Sequence, residues 1–88
     1  MRSFVALLQG GYTALIWAGF YGRTATVELL LQHKADIEAK DNWGYTALIE
    51  AAAKGQKATV ELLLQHKADI EAKERRGKTA LQKAIDEN

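Results

Sequence analysis

Histidine occurs twice in this sequence, as His33 and His66, each inside the same octapeptide, "LLLQHKAD". A metal centre would need further ligands converging on one of them, and the neighbouring residues offer none, so both are read as helix-end residues, solvated or set in the helix dipole. Two carboxylate pairs, Asp36 with Glu38 and Asp69 with Glu71, have a spacing that suits proton transfer between one acid and one base. Both pairs lie in a duplicated "ADIEAK". A catalytic pair has little reason to be duplicated, so these are read as scaffold residues. The single serine, Ser3, has no histidine and carboxylate placed to activate it, cysteine is absent, and no Gly-rich phosphate loop occurs. The expectation is a non-enzymatic protein with no catalytic residue, no metal and no cofactor.

The elements that carry these residues are themselves repeated. "GYTALI" stands at Gly11–Ile16 and at Gly44–Ile49, a worn copy "GKTALQ" opens at Gly77, and "VELLLQHKADIEAK" occurs unchanged at Val27–Lys40 and Val60–Lys73. The three glycines are 33 residues apart. A unit repeated this faithfully cannot bury its apolar face alone and must stack on its neighbour, which predicts a short solenoid. Within one unit Thr46 is placed to cap a helix whose apolar face carries Ala47, Leu48, Ala51 and Ala52, with Gly55 ending it. Thr59 is expected to cap a second helix, with Val60, Leu63 and Leu64 at helical spacing. From Ala68 the alternating "ADIEAK" predicts an extended arm with a turn at its tip.

The chain has 88 residues, twelve Lys and Arg against eleven Asp and Glu, and a net charge of +1. That length allows one small domain, and the charge argues against nucleic acid or an anionic membrane as an obligatory partner. A basic set, Lys73, Arg75, Arg76, Lys78 and Lys83, is interrupted by Glu71 and Glu74, which argues further against nucleic acid. "FVALL" at Phe4–Leu8 is too short for a secretory segment and no run is long enough to span a membrane, so a cytoplasmic setting is the default expectation.

A 33-residue unit of turn, helix and helix carrying "GYTAL", "AAAKG" and "VELLLQHKADI" resembles an ankyrin repeat, and the resemblance covers Gly11–Asn88. It implies an all-α stack of helix-turn-helix units with β-turn fingers, acting as a protein-binding scaffold without catalytic machinery. The organisation expected is a single domain over 1–88: a partial unit at 1–10, repeats at 11–43 and 44–76, and a half-repeat cap at 77–88. The sequence departs from the family pattern in three places. Alanine replaces the signature proline after Thr13, Thr46 and Thr79; Ile16 and Ile49 replace its histidine, with Gln82 placed to close a capping box in the third copy; and Lys34 and Lys67 replace the glycine after the second helix.

The positions that change between the two full units cluster at the end of the first helix and at the finger tip. In the resembled family those places, with the residue after the turn glycine, line a concave face that grips partners. Carried over residue by residue, this gives Tyr12, Phe20, Tyr21, Asn42, Trp43, Tyr45, Lys54, Arg75, Arg76 and Lys78 as partner-binding residues. The partner class is a protein or peptide, since Trp, Tyr and Arg dominate binding hot spots. Trp17 is read as structural. "SFVALLQG" at Ser3–Gly10 aligns with a second helix, and two whole repeats with two fragments fall short of the three units such stacks need. Self-association through Phe4, Val5, Leu7 and Leu8 into a homodimer is the expected remedy. A self-assembling or engineered fragment is the alternative reading, suggested by near-identical repeats and absent proline.

Overall fold

The computed structural model describes residues 13–87, and among these there are five short helices: α1 (Ala14–Phe20), α2 (Thr24–Gln32), α3 (Ala47–Ala53), α4 (Lys57–Gln65) and α5 (Ala80–Glu87). Among the described residues there is no strand. The helices form an antiparallel pair α1–α2, a second pair α3–α4, and α5 against α3, with α1 on α3 and α2 on α4 joining the layers. This is the all-α stack the repeats predict.

Thr13 and Thr46 start the first helix of each pair, their hydroxyls accepting from Ile16 N at 3.1 Å and Ile49 N at 3.2 Å. Because α3 is covered by α1, α4 and α5, all seven of its residues are buried, including Glu50. Its alanines keep the neighbouring helices close. Leu15, Ile16, Val27, Leu48, Ile49 and Leu63 complete the core.

Both helices of the second pair end in the same device. After α3, Gly55 N bonds Ala52 O and Gln56 N bonds Ala51 O; after α4, Lys67 N bonds Leu64 O and Ala68 N bonds Leu63 O. These are Schellman motifs, which need a left-handed residue one position past the helix cap. Gly55 supplies φ +69° without cost, whereas Lys34 at 67° and Lys67 at 69° hold the same conformation with a Cβ. Lys67→Gly is therefore expected to stabilise the protein by about 1 kcal/mol, read as a higher urea midpoint; an unchanged or lower midpoint would refute the strain.

The expected cap at Thr59 does not form. The turn at Gly55 delivers the chain directly into α4, with Gln56 at the cap position and Lys57 already helical. Gln56 caps nothing with its side chain, which reaches back to Phe20 O at 3.1 Å and joins the two layers. Thr59 is instead an interior helix residue, 1% exposed, and its Oγ1 has no hydrogen-bond partner among the described residues. Thr59→Val keeps the shape and removes an unpaired hydroxyl, so a gain of about 1 kcal/mol is expected in urea denaturation. A loss would reveal a partner for the hydroxyl.

The connecting arm is less extended than its alternation suggests. Asp36 and Asp69 close turns by accepting from Glu38 N and Glu71 N, both at 2.9 Å, and Glu38 Oε2 accepts Asp69 N from the next arm at 2.7 Å. Three of the four duplicated carboxylates, Asp36, Glu38 and Asp69, thus hold the backbone of the arms. Only half of the capping box at α5 is present: Thr79 Oγ1 accepts Gln82 N at 3.3 Å, while the Gln82 amide turns to Asp86. Ala80 and Ala84 pack α5 on the core, but Leu81 and Ile85 are exposed, so its outer side is not the uniformly polar cap that Gln82, Lys83, Asp86 and Glu87 suggest.

Candidate functional site

Each finger tip is a tight turn built on one buried carboxylate. Asp41 Oδ1 accepts from Trp43 N and Tyr45 N, both at 2.9 Å, and Glu74 Oε1 does the same for Arg76 N and Lys78 N. Burial pushes the Glu74 carboxyl up, but the Lys78 and Arg76 amides, with the charges of Lys83 and Arg76, outweigh it and hold the group below its ordinary value. Gly44 takes φ +83° in the first tip, and a Cβ there would meet Arg75 N at 3.0 Å. That close approach lets Arg75 N bond Trp43 O at 3.0 Å, while Lys40 Nζ reaches Lys73 O. The fingers are therefore tied side by side.

The residues assigned from the sequence fall into two clusters. At the end of α1, the Trp17 and Tyr21 ring centroids are 4.9 Å apart and those of Phe20 and Tyr21 4.8 Å, with Lys54 Nζ 4.9 Å from the Phe20 ring. Trp17 packs against the core as expected and Phe20 is half-buried, leaving Tyr21 the most exposed ring of the three. At the first finger and α3, Trp43 is 59% exposed and Tyr45 half-buried, with Lys83 Nζ 5.1 Å from the Tyr45 ring. Asn42, Arg75 and Arg76 are exposed. Lys78 is half-buried and pairs with Asp86, whose carboxyl is held below its ordinary value by bonds from Lys78 and Gln82. Tyr12 and the assigned self-association residues Phe4, Val5, Leu7 and Leu8 lie outside the described residues.

Asp41, Trp43, Tyr45 and Glu50 together bound a hollow of about 290 Å³ that the sequence did not single out. Glu50 is 8% exposed, and its carboxyl is pushed up to about 7 by burial and then by the Asp41 charge, against smaller opposing effects of Lys54 and Lys83. The available signal was compositional: Glu50 is the single charged residue in "TALIEAAA". Its counterparts one unit away are Trp17 and Lys83, three chemically different side chains at one structural position.

The histidines stand apart from this face. His66 Nε2 lies 3.4 Å from Glu28 Oε2, a contact between α2 and the end of α4, and His33 is exposed. Among the described residues no group of histidines and carboxylates converges as a metal site. No described helix is long and apolar enough to cross a membrane.

With paired helices, stacked layers and linked fingers, the architecture defines a class that the comparison with known families identifies. The family model for ankyrin repeats, described as present in many copies, matches residues 15–64 and 48–86. The chain belongs to the ankyrin-repeat family. Members are generally protein–protein interaction scaffolds and typically non-enzymatic. No curated protein matches the chain significantly.

Proposed function

We propose that the face made by the finger tips and the first helices binds a protein or peptide partner. Phe20, Tyr21, Asn42, Trp43, Tyr45, Lys54, Arg75 and Arg76 supply its contacts, Lys78 shapes its edge through Asp86, and Tyr12 belongs to the same set by repeat position. One observation carries this reading: finger residues Trp43 and Tyr45 and helix residue Glu50 bound a single hollow, so finger and helix present one continuous surface. Large aromatic side chains there give contact area at low entropic cost. Trp43 is also dispensable to the core, since it is largely exposed.

The test uses peptides selected from a random display library on the immobilised protein. Trp43→Ala and Tyr45→Ala are each expected to weaken those peptides at least about tenfold, Trp43→Ala with an unchanged melt and Tyr45→Ala with native helical circular dichroism but a lowered melt, because Tyr45 also packs on the core. Undiminished binding by both variants would refute this face.

A second reading, self-association, is favoured by a different surface. Leu64, Ile70 and Leu81 are exposed around an apolar groove of about 280 Å³ between α4 and α5, with Ile85 exposed nearby. Exposed apolar patches of this kind mark contact surfaces. Light scattering after size exclusion at two protein concentrations separates the readings: a monomer at both favours the finger face, a dimer that Leu81→Asp dissolves favours the groove, and a dimer that Leu81→Asp leaves intact favours Phe4, Val5, Leu7 and Leu8.

A further inference from the structure

We propose that the hollow bounded by Asp41, Trp43, Tyr45 and Glu50 seats an arginine side chain of the bound partner, its guanidinium lying against the two rings and bonded to the Glu50 carboxylate. The inference rests on the peptide-binding reading and names what one part of that face grips.

Glu50 is the reason. It is 8% exposed, it lines the hollow, and no described residue bonds its carboxyl; unlike Thr59 Oγ1 its oxygens are not sealed from solvent, so its remaining exposure is toward the hollow. A buried carboxylate without a partner is costly, and a core helix made otherwise of alanine, leucine and isoleucine has no structural use for one. The nearest cations of the protein reach Glu50 through charge alone and make no bond to it, their ammonium groups lying over rings, Lys54 over Phe20 and Lys83 over Tyr45. The acceptor that remains open faces the hollow.

The walls suit a planar cation. Arginine is attracted to aromatic faces and bonds a carboxylate through a fork of N–H donors, which a lysine ammonium does not reproduce. Asp41 takes a different part, because its Oδ1 is committed to the Trp43 and Tyr45 amides: it fixes both walls and adds negative charge behind them. At about 290 Å³ the space is at the small end of ligand sites and fits one side chain rather than a larger organic molecule.

The groups facing Glu50 are Asp41 and Tyr45 in the hollow, Lys54 one turn along α3, and Lys83 on α5. With Glu50 titrating at about 7, a guanidinium takes the place of a proton, so binding strengthens as the pH rises.

The experiment follows the Trp43 indole N–H by NMR during titration with acetyl-arginine amide and with its uncharged isostere, acetyl-citrulline amide. A saturable shift is expected for the arginine compound, about tenfold weaker at pH 6 than at pH 8 and at least about tenfold weaker for citrulline and in Glu50→Gln. An equal response to citrulline, or undiminished binding by Glu50→Gln with native circular dichroism, would overturn the arginine seat. Library peptides that bind Glu50→Gln as well as the parent would also sink it, and would leave the binding face standing. An arginine response in a protein whose library peptides ignore Trp43→Ala and Tyr45→Ala would instead keep the seat and refute the wider face.

Discussion

Leu63→Ala is expected to remove about 2 to 5 kcal/mol of stability, the range for truncating a fully buried leucine. Leu63 is 0% exposed and lies in the core cluster with α3 packed on its helix. A domain of this size has only about 5 to 10 kcal/mol in total, so the variant should lose most of its cooperative urea transition. Its counterpart in the preceding unit, Leu30, is identical in sequence context but only half-buried. Leu30→Ala should therefore cost clearly less. Equal losses for the two, or a loss below about 1 kcal/mol for Leu63→Ala, would contradict the packing described.

Glu50→Gln is expected to stabilise the protein in a pH-dependent way. The carboxyl titrates at about 7 in the fold against an ordinary value of 4.5, so the folded state favours the protonated form. Below 4.5 the group is protonated in folded and unfolded chains alike and imposes no cost. Between 4.5 and 7 the unfolded chain releases the proton and the fold retains it, so stability falls as pH rises. Above 7 the full cost is present, up to about 3 kcal/mol for a shift of this size. Glu74 acts oppositely: its depressed value adds stability above the ordinary carboxylate range, and that contribution disappears as pH falls through its folded value. The two windows lie on either side of the ordinary value, so urea unfolding of parent and Glu50→Gln at pH 5 and pH 8 isolates Glu50. The variant's advantage should be about 2 kcal/mol larger at pH 8. An advantage independent of pH would show that Glu50 is solvated.

The stack was legible because its signals are local and repeated. Thr13 and Thr46 cap where a threonine before an apolar run should, and the left-handed positions recur with the period. Thr59 misled because a threonine before "VELLL" has the same local pattern, and only the turn at Gly55 decides that the helix has already begun. The first finger was legible as a place of variation, since Trp43 and Tyr45 sit beside the turn glycine. Glu50 was not, because a lone acid in a short helix is ordinarily solvent-facing, and its burial comes from α1, α4 and α5 closing around it. The pairing of Lys78 with Asp86 was equally hidden, since it depends on how α5 lies beside its own finger.

The bond from Asp69 N to Glu38 Oε2 has both of its halves in every full copy, because each arm carries the same aspartate and glutamate. The same is true of the Lys40 bond to Lys73 O. A fastener of which each tile bears both the hook and the eye sets no upper limit on the number of tiles. Tandem duplication of the 33-residue stretch from Gly44 to Arg76 would join with the fastenings already in use, so a gene can lengthen this array in a single event and leave new surfaces to diverge afterwards.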